Sequence, residues 1–204
     1  MKYIGPKARR CRRQEMNLYG SEKYDKIMAK KPYAPGKTPK SRAGRKSEYA
    51  RQLQEKQRVR DIYGLSERQF RRLYDEANRA KSDTGDMMKQ LLEQRLDNMI
   101  YRSGFALTRI QARQFAGHGH FTVDGVRVTC PSYRVRPGQK IVARNRSKQS
   151  PVFTEIVRRH EKYMPPSWLK VDSGSLAVEV LSAPTAQHAE QAVDMRQVVE
   201  FYSR

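Results

Sequence analysis

Cysteine is scarce in this 204-residue chain: only Cys11 and Cys130 are present. Neither stands in a Cys-x-x-Cys pair, and they fall in separate segments. That argues against a disulfide framework and fits a reducing, cytosolic setting. Long apolar runs are missing as well. No stretch of about 18 apolar residues occurs, nor any signal-peptide apolar region or basic amphipathic anchor, so no membrane partner is expected. The usual catalytic signatures are also missing. There is no Gly-x-x-x-x-Gly-Lys phosphate loop, no dinucleotide fingerprint, no Gly-x-Ser-x-Gly elbow and no pair of catalytic carboxylates. Neither an enzymatic activity nor a cofactor is expected.

Negative charge is the other shortage. Lys and Arg total 42 against 21 Asp and Glu, a net charge of +21. Residues 1–60 alone carry 19 basic and 5 acidic side chains. Such a field repels itself unless a polyanion neutralises it, and each phosphate contact with nucleic acid releases condensed counterions. The C-terminal end differs: residues 171–204 hold five acidic and two basic residues, so this end is expected to fold back on the protein. Hydrophobic residues make up 37%, low for a globular chain, yet periodic apolar patterns run through the middle. Folded centres with basic, partly irregular flanks are therefore predicted.

Residues 1–46 read as a basic, irregular arm, with 7-KARRCRR-13 and prolines at 6, 32, 35 and 39. It is either a solvated tail or a segment that orders on its polyanion. Ser47 caps a predicted helix over 48–63 that Gly64 ends. Ser66 caps a second over 67–81, and Gln69 completes a capping box. Phe70, Leu73, Tyr74 and Ala77 give that helix one buried stripe. A third is predicted over 86–104, with Asp86 as its cap, and a fourth over 109–117 behind Thr108. Strands follow at 121–123 and 126–128, joined by Asp124–Gly125, then at 139–145 and 175–180. Residues 93–146 thus read as two helices on a short sheet. The acidic residues of 93-EQRLDN-98 have basic neighbours at helical spacing, the ordinary surface pattern.

The stretch 117-GHGH-120 places His118 and His120 beside two glycines. Zinc needs about four convergent ligands, and the remaining Cys and His residues are scattered, so no metal site is expected. A general base would need an orienting acid and a nucleophile, and neither is evident. Two readings stay open: a loop approaching phosphate or ribose, or a structural joint in which glycine supplies left-handed backbone. Arg109 and Arg113, four apart, share one helix face that suits phosphate.

Four runs, 1-MKYIGPKARRCRR-13, 52-QLQEKQRVRDIYGLSERQFRRLYDEA-77, 93-EQRLDNMIYRSGFALTRIQARQ-114 and 197-QVVEFYSR-204, resemble the bacterial small-subunit ribosomal protein S-four family, in order and over nearly the whole chain. The resemblance implies an α+β protein. A basic irregular arm (1–46) precedes a helical domain (47–92) that the tail (156–204) completes. Between them sits an S-four RNA-binding domain (93–155) of helices on a small, bent antiparallel sheet. It further implies a structural protein that binds the 5′ domain of 16S ribosomal RNA (rRNA) early, at a multi-helix junction, and nucleates small-subunit assembly. Implied neighbours are small-subunit proteins five and three and the messenger RNA (mRNA) near its entrance tunnel, with an influence on decoding accuracy.

Carried over residue by residue, the RNA surface comprises Lys7, Arg9, Arg10, Arg12, Arg13, Arg51, Lys56, Arg58, Arg68, Arg71, Arg72, Arg109, Arg113 and His118. Arg42, Arg45 and Lys46 match the basic stretch the family turns toward the messenger. The chain departs from many members in reading 37-KTPKS-41 after 34-APG-36. Cys11 stands alone where some members carry four N-terminal cysteines, which implies the zinc-free form.

Overall fold

In a computed structural model, which describes Tyr3, residues 5–36, 44–160 and 163–204, prolines border helices in the N-terminal segment instead of breaking them. Pro6 precedes helix α1 (Lys7–Gln14), where its missing N–H costs nothing, and Glu15 ends the helix in a left-handed conformation (φ 57°). Helix α2 (Glu22–Lys30) follows Ser21, and Pro32 comes two residues after it. The expected irregular arm is thus corrected over its described part. Cys11 and Leu18 are buried. Arg12 ties the segment together, its guanidinium donating to the carbonyls of Lys31 and Tyr33 at 2.8–3.1 Å.

Helices α3 (Glu48–Ile62) and α4 (Glu67–Asn78) form where the capping residues place them. Ser47 Oγ accepts from the Ala50 N–H, and Ser66 with Gln69 makes the reciprocal capping box. Gly64, at φ 63°, turns the chain between them. The predicted stripe of α4 is buried throughout. Two compact units divide the chain: residues up to Met88 with Gln191–Arg204, and Lys89–Glu190.

The predicted helix over 86–104 is two helices, α5 (Thr84–Glu93) and α6 (Leu96–Arg102). At α5's start Asp83, not Asp86, supplies the capping carboxylate, accepting from the Asp86 N–H at 2.9 Å. The break between them has a cause. Backbone groups of residues 94–97 pair with the 131–135 loop: Leu96 N–H donates to the Tyr133 carbonyl at 2.8 Å and Val135 N–H to the Gln94 carbonyl at 2.9 Å. Those bonds replace the helical ladder locally.

Helix α7 (Arg109–His118) starts at Thr108, whose hydroxyl accepts from the Gln111 N–H. Strands β1 (Phe121–Val123) and β2 (Val126–Arg127) form the expected hairpin, Asp124 and Gly125 taking φ of 49° and 81°. After β3 (Lys140–Ala143) come α8 (Asn145–Lys148) and α9 (Pro151–His160). Strands β4 (Leu169–Asp172) and β5 (Ala177–Val180) then join the same antiparallel sheet, in order β2-β1-β3-β5-β4. Residues 169–180 therefore belong with the sheet and not with the helical tail. The pairing Ile141↔Val178 gives β3 its second neighbour and closes an apolar face. One core fills this unit, with Phe105, Phe121, Phe153 and Trp168 all fully buried; each such side chain contributes about 1.5–3 kcal/mol. The last helix, α10 (Met195–Ser203), is capped by Asp194 and buries Met195, Val198 and Tyr202 in the first unit. There the Tyr202 ring lies 4.8 Å from that of Tyr74.

Candidate nucleic-acid interface

Basic residues of the first unit divide by what their neighbours demand. On α1, Arg9 and Arg13, four apart, are exposed. Arg10 is engaged: it forms an ion pair with Asp61 and its guanidinium sits 3.5 Å from the Tyr3 ring centre. Burial raises the Asp61 carboxyl above its ordinary value, and Arg10 and Arg60 only partly offset this. Arg12 is the staple described above, and Lys7 lies 5.7 Å from the Tyr19 ring centre. Arg45, Lys46, Arg51, Arg68, Arg71 and Arg72 are exposed, and Arg42 lies outside the described residues. Among the described residues, Arg9, Arg13, Arg51, Arg68 and Arg72 make no ion pair. Arg71 meets Asp75 at 3.1 Å, and Lys46 meets Glu15 at 3.5 Å; both are solvated pairs of small value.

Two predicted RNA ligands of α3 are spent on the fold. Lys56 is buried at 6% exposure, its Nζ donating to Glu67 at 2.9 Å and lying 4.5 Å from the Phe201 ring centre. A cation at that position needs a carboxylate partner, and Glu67 supplies it. Arg58 pairs with Glu55 and donates to the Gln14 carbonyl. At Glu67, burial would raise the carboxyl, but hydrogen bonds from Lys56 and Tyr202 outweigh it and hold the pKa below the ordinary value. A depressed folded-state pKa stabilises above the unfolded value and loses that contribution as pH falls through the folded one. Glu67→Gln is therefore expected to lower stability at pH 7, with the difference from wild type shrinking below about pH 4.3. Denaturant melts at stepped pH check this.

In the second unit the acidic run 93-EQRLDN-98 is not a surface. Glu93, Arg95, Asp97 and Asn98 are all at most 5% exposed. Glu93 accepts from Asn98 at 2.6 Å and from Arg102 at 2.9 and 3.0 Å. Arg95 grips Asp97 with two bonds at 3.0 and 2.8 Å. The same network takes the two arginines of α7. Arg109 donates to Asn98 at 3.0 Å and Glu190 at 3.2 Å, and stacks 4.4 Å from the Tyr101 ring centre. Arg113 reaches Asp97 at 3.4 Å. Their shared face thus meets the buried Asp97, the part-exposed Glu190 and an aromatic ring, so they position α7 and do not form an open phosphate surface.

Cations instead gather at the C-terminal end of α7. His118 is exposed, and its carbonyl accepts from Arg127 at 3.3 Å. Arg144 donates to the Gly119 carbonyl at 3.4 Å and, through its backbone N–H, to the His120 carbonyl at 2.9 Å. Gly119 has φ 69°, and a Cβ there would come within 2.4 Å of the Arg127 Nε. His120 turns inward, bonding Ser147 at 3.0 Å with its ring edge-on to Phe115. Burial, then the neighbouring His118, Arg144 and Arg127, pushes its pKa down. His120 is therefore a packing residue, while the exposed His118 lies beside the cations Arg127 and Arg144. Sequence reasoning did not single out Arg127 or Arg144; their positions on the hairpin and just after β3 were the available signal. Gly119→Ala is expected to displace Arg127 and lower stability by about 1–2 kcal/mol, readable as a drop in Tm. Among the described residues, no group of three or more His, Cys, Asp or Glu is placed to hold a metal ion.

Helices on a small antiparallel sheet, with exposed arginines, define a basic α+β protein whose surface suits a polyanion. A family model for the ribosomal protein S4/S9 N-terminal domain matches residues 2–93, and one for the S4 domain matches residues 94–141. The small ribosomal subunit protein uS4 of Thermus thermophilus is 44% identical over 207 residues, covering 100% of this chain and 99% of that protein. Those of Natranaerobius thermophilus and Roseiflexus castenholzii are each 43% identical with the same coverage. The chain belongs to the uS4 family of small-subunit ribosomal proteins. Members of this family are structural ribosomal components with an RNA-binding domain, not enzymes.

Proposed function

We propose that this protein is an rRNA-binding structural component of the small ribosomal subunit that binds the 5′ domain of 16S rRNA directly and nucleates assembly there. The observation that carries the reading is the set of exposed cations, Arg9, Arg13, Arg51, Arg68 and Arg72, held on helices α1, α3 and α4. Arginine forks on rigid helices meet phosphates with little reorganisation, and the shape of a folded junction then sets selectivity. Arg45, Lys46, Arg71, His118, Arg127 and Arg144 extend this surface. Lys7, Arg10, Arg12, Lys56, Arg58, Arg109 and Arg113 act mainly by holding the helices that carry it. Small-subunit proteins five and three and the mRNA near its entrance tunnel are the further partners proposed, with Arg45 and Lys46 facing the messenger. Through these contacts the protein influences decoding accuracy.

Chemical probing of protein-free 16S 5′-domain RNA tests the reading. Adding this protein alone is expected to protect nucleotides concentrated at a multi-helix junction. Protection that appears only after other ribosomal proteins have bound would overturn the nucleating role.

A further inference from the structure

A cleft of about 330 Å³ opens in the second unit where α6 and α9 end, lined in part by Tyr101, Leu107, Arg159, His160 and Tyr163. Its size lies at the lower end of the range of about 300–1,000 Å³ typical of small-molecule sites. Tyr163 is 39% exposed and Leu107 56%, and Met164, next in the chain, is 91% exposed. Exposed apolar side chains gathered at one place mark an interaction site, as singly scattered ones do not. The Tyr163 ring is held firmly despite its exposure. Its hydroxyl donates to the Arg102 carbonyl at 2.9 Å, and its ring centre lies 5.3 Å from that of His160. His160 is itself tied to the Ser103 carbonyl, 2.6 Å from its Nε2. The ring lies so close to the Gly104 backbone, at φ 78°, that a Cβ there would come within 2.6 Å of it. Fixing an exposed side chain costs rotamer entropy that burial does not return, so the arrangement fits a ring preorganised for a ligand.

Charge then selects the occupant. The lining holds two arginines and no carboxylate. Arg102 is paired with Glu93, whereas Arg159 makes no ion pair among the described residues. Arg158, beside it in the chain, is exposed. Proteins that hold single-stranded nucleic acid combine these two elements: an aromatic ring on which a base stacks, and cations that take the backbone. We propose that this cleft takes one unpaired RNA nucleotide, its base stacked on Tyr163 and its phosphate met by Arg159. Stacking needs only the flat face that every base has, so the contact holds an unpaired nucleotide without reading its identity. The inference rests on the rRNA-binding reading and adds a stacking contact to an interface otherwise governed by phosphates and shape.

The test uses the full-length protein with ¹³C-labelled tyrosine, titrated with short oligoadenylate, oligouridylate and an abasic oligoribonucleotide of equal length and charge. The Tyr163 ring signals are expected to shift with both base-bearing oligomers well beyond their response to the abasic one. Equal shifts with the abasic oligomer would overturn the proposal. So would no shift with any of the three, the result expected if the cleft instead seats an apolar side chain of a neighbouring protein. In parallel, Tyr163→Leu is expected to weaken binding to the 16S 5′-domain fragment about tenfold with an unchanged salt slope, as loss of one stacked base does. Tyr163→Phe keeps the ring and is expected to bind within about twofold of wild type. Wild-type affinity in the leucine variant sinks the stacking site and leaves the rRNA-binding reading standing. Failure of the wild-type protein to bind the fragment sinks that reading, and the stacking site with it.

Discussion

Glu93→Ala is expected to lower the unfolding free energy by about 3–5 kcal/mol, the cost of removing one member of a buried ionic network. Glu93 is fully buried and is the carboxylate on which Arg102 and Asn98 converge. Its loss removes both bonds that Arg102 makes to it and the bond to the Asn98 side chain, which in turn orients Arg109. Glu93→Gln keeps the shape and one acceptor, so it is expected to cost less than the alanine variant. Urea melts of the three proteins read the effect directly. Glu93→Ala within about 0.5 kcal/mol of wild type, the usual range for a surface change, would show that the network adds nothing. The same melts bear on Arg109 and Arg113. Their role in RNA binding is indirect if alanine at either site lowers stability while RNA affinity of the folded fraction is retained.

Removing four exposed arginines should have the largest effect on binding. Arg9, Arg13, Arg68 and Arg72 are exposed and make no ion pair among the described residues, so alanine at all four leaves no orphaned partner and melting stays near wild type. At about 1 kcal/mol for each contact, RNA affinity falls by about 4 kcal/mol, roughly 10³-fold in Kd. Each lost phosphate contact also removes roughly 0.7–0.9 from the slope of log affinity against log salt, so the slope falls by about 3. An affinity loss with an unchanged slope would place these arginines on base edges and contradict the phosphate assignment.

Much of the local structure was legible because it is encoded within a few residues. Ser66 and Gln69 cap α4, and the Asp124–Gly125 pair sets a two-residue hairpin, each through its own backbone chemistry. What failed was whatever depends on distant neighbours. Charged residues at helical spacing look alike on a surface and in a core, so 93-EQRLDN-98 gave no hint that Glu93 and Asp97 are buried. Lys56 was misplaced for the same reason: its partners Glu67, Phe201 and Tyr202 come from two other helices. The strand over 175–180 was readable, but no local feature says that it pairs with β3. In the N-terminal segment, counting prolines suggested irregular chain, whereas their positions at helix borders permit α1 and α2. The family resemblance located the RNA-binding function; it did not separate arginines that face solvent from those that hold the fold.

Competition binding to the 16S 5′-domain fragment against duplex DNA of equal charge, repeated across a salt series, tests the central claim most directly. The account predicts tight binding to the RNA that weakens by several decades per decade of salt, with DNA displacing the protein only at large excess. A flat salt response, or displacement by DNA as effective as by RNA, would contradict it.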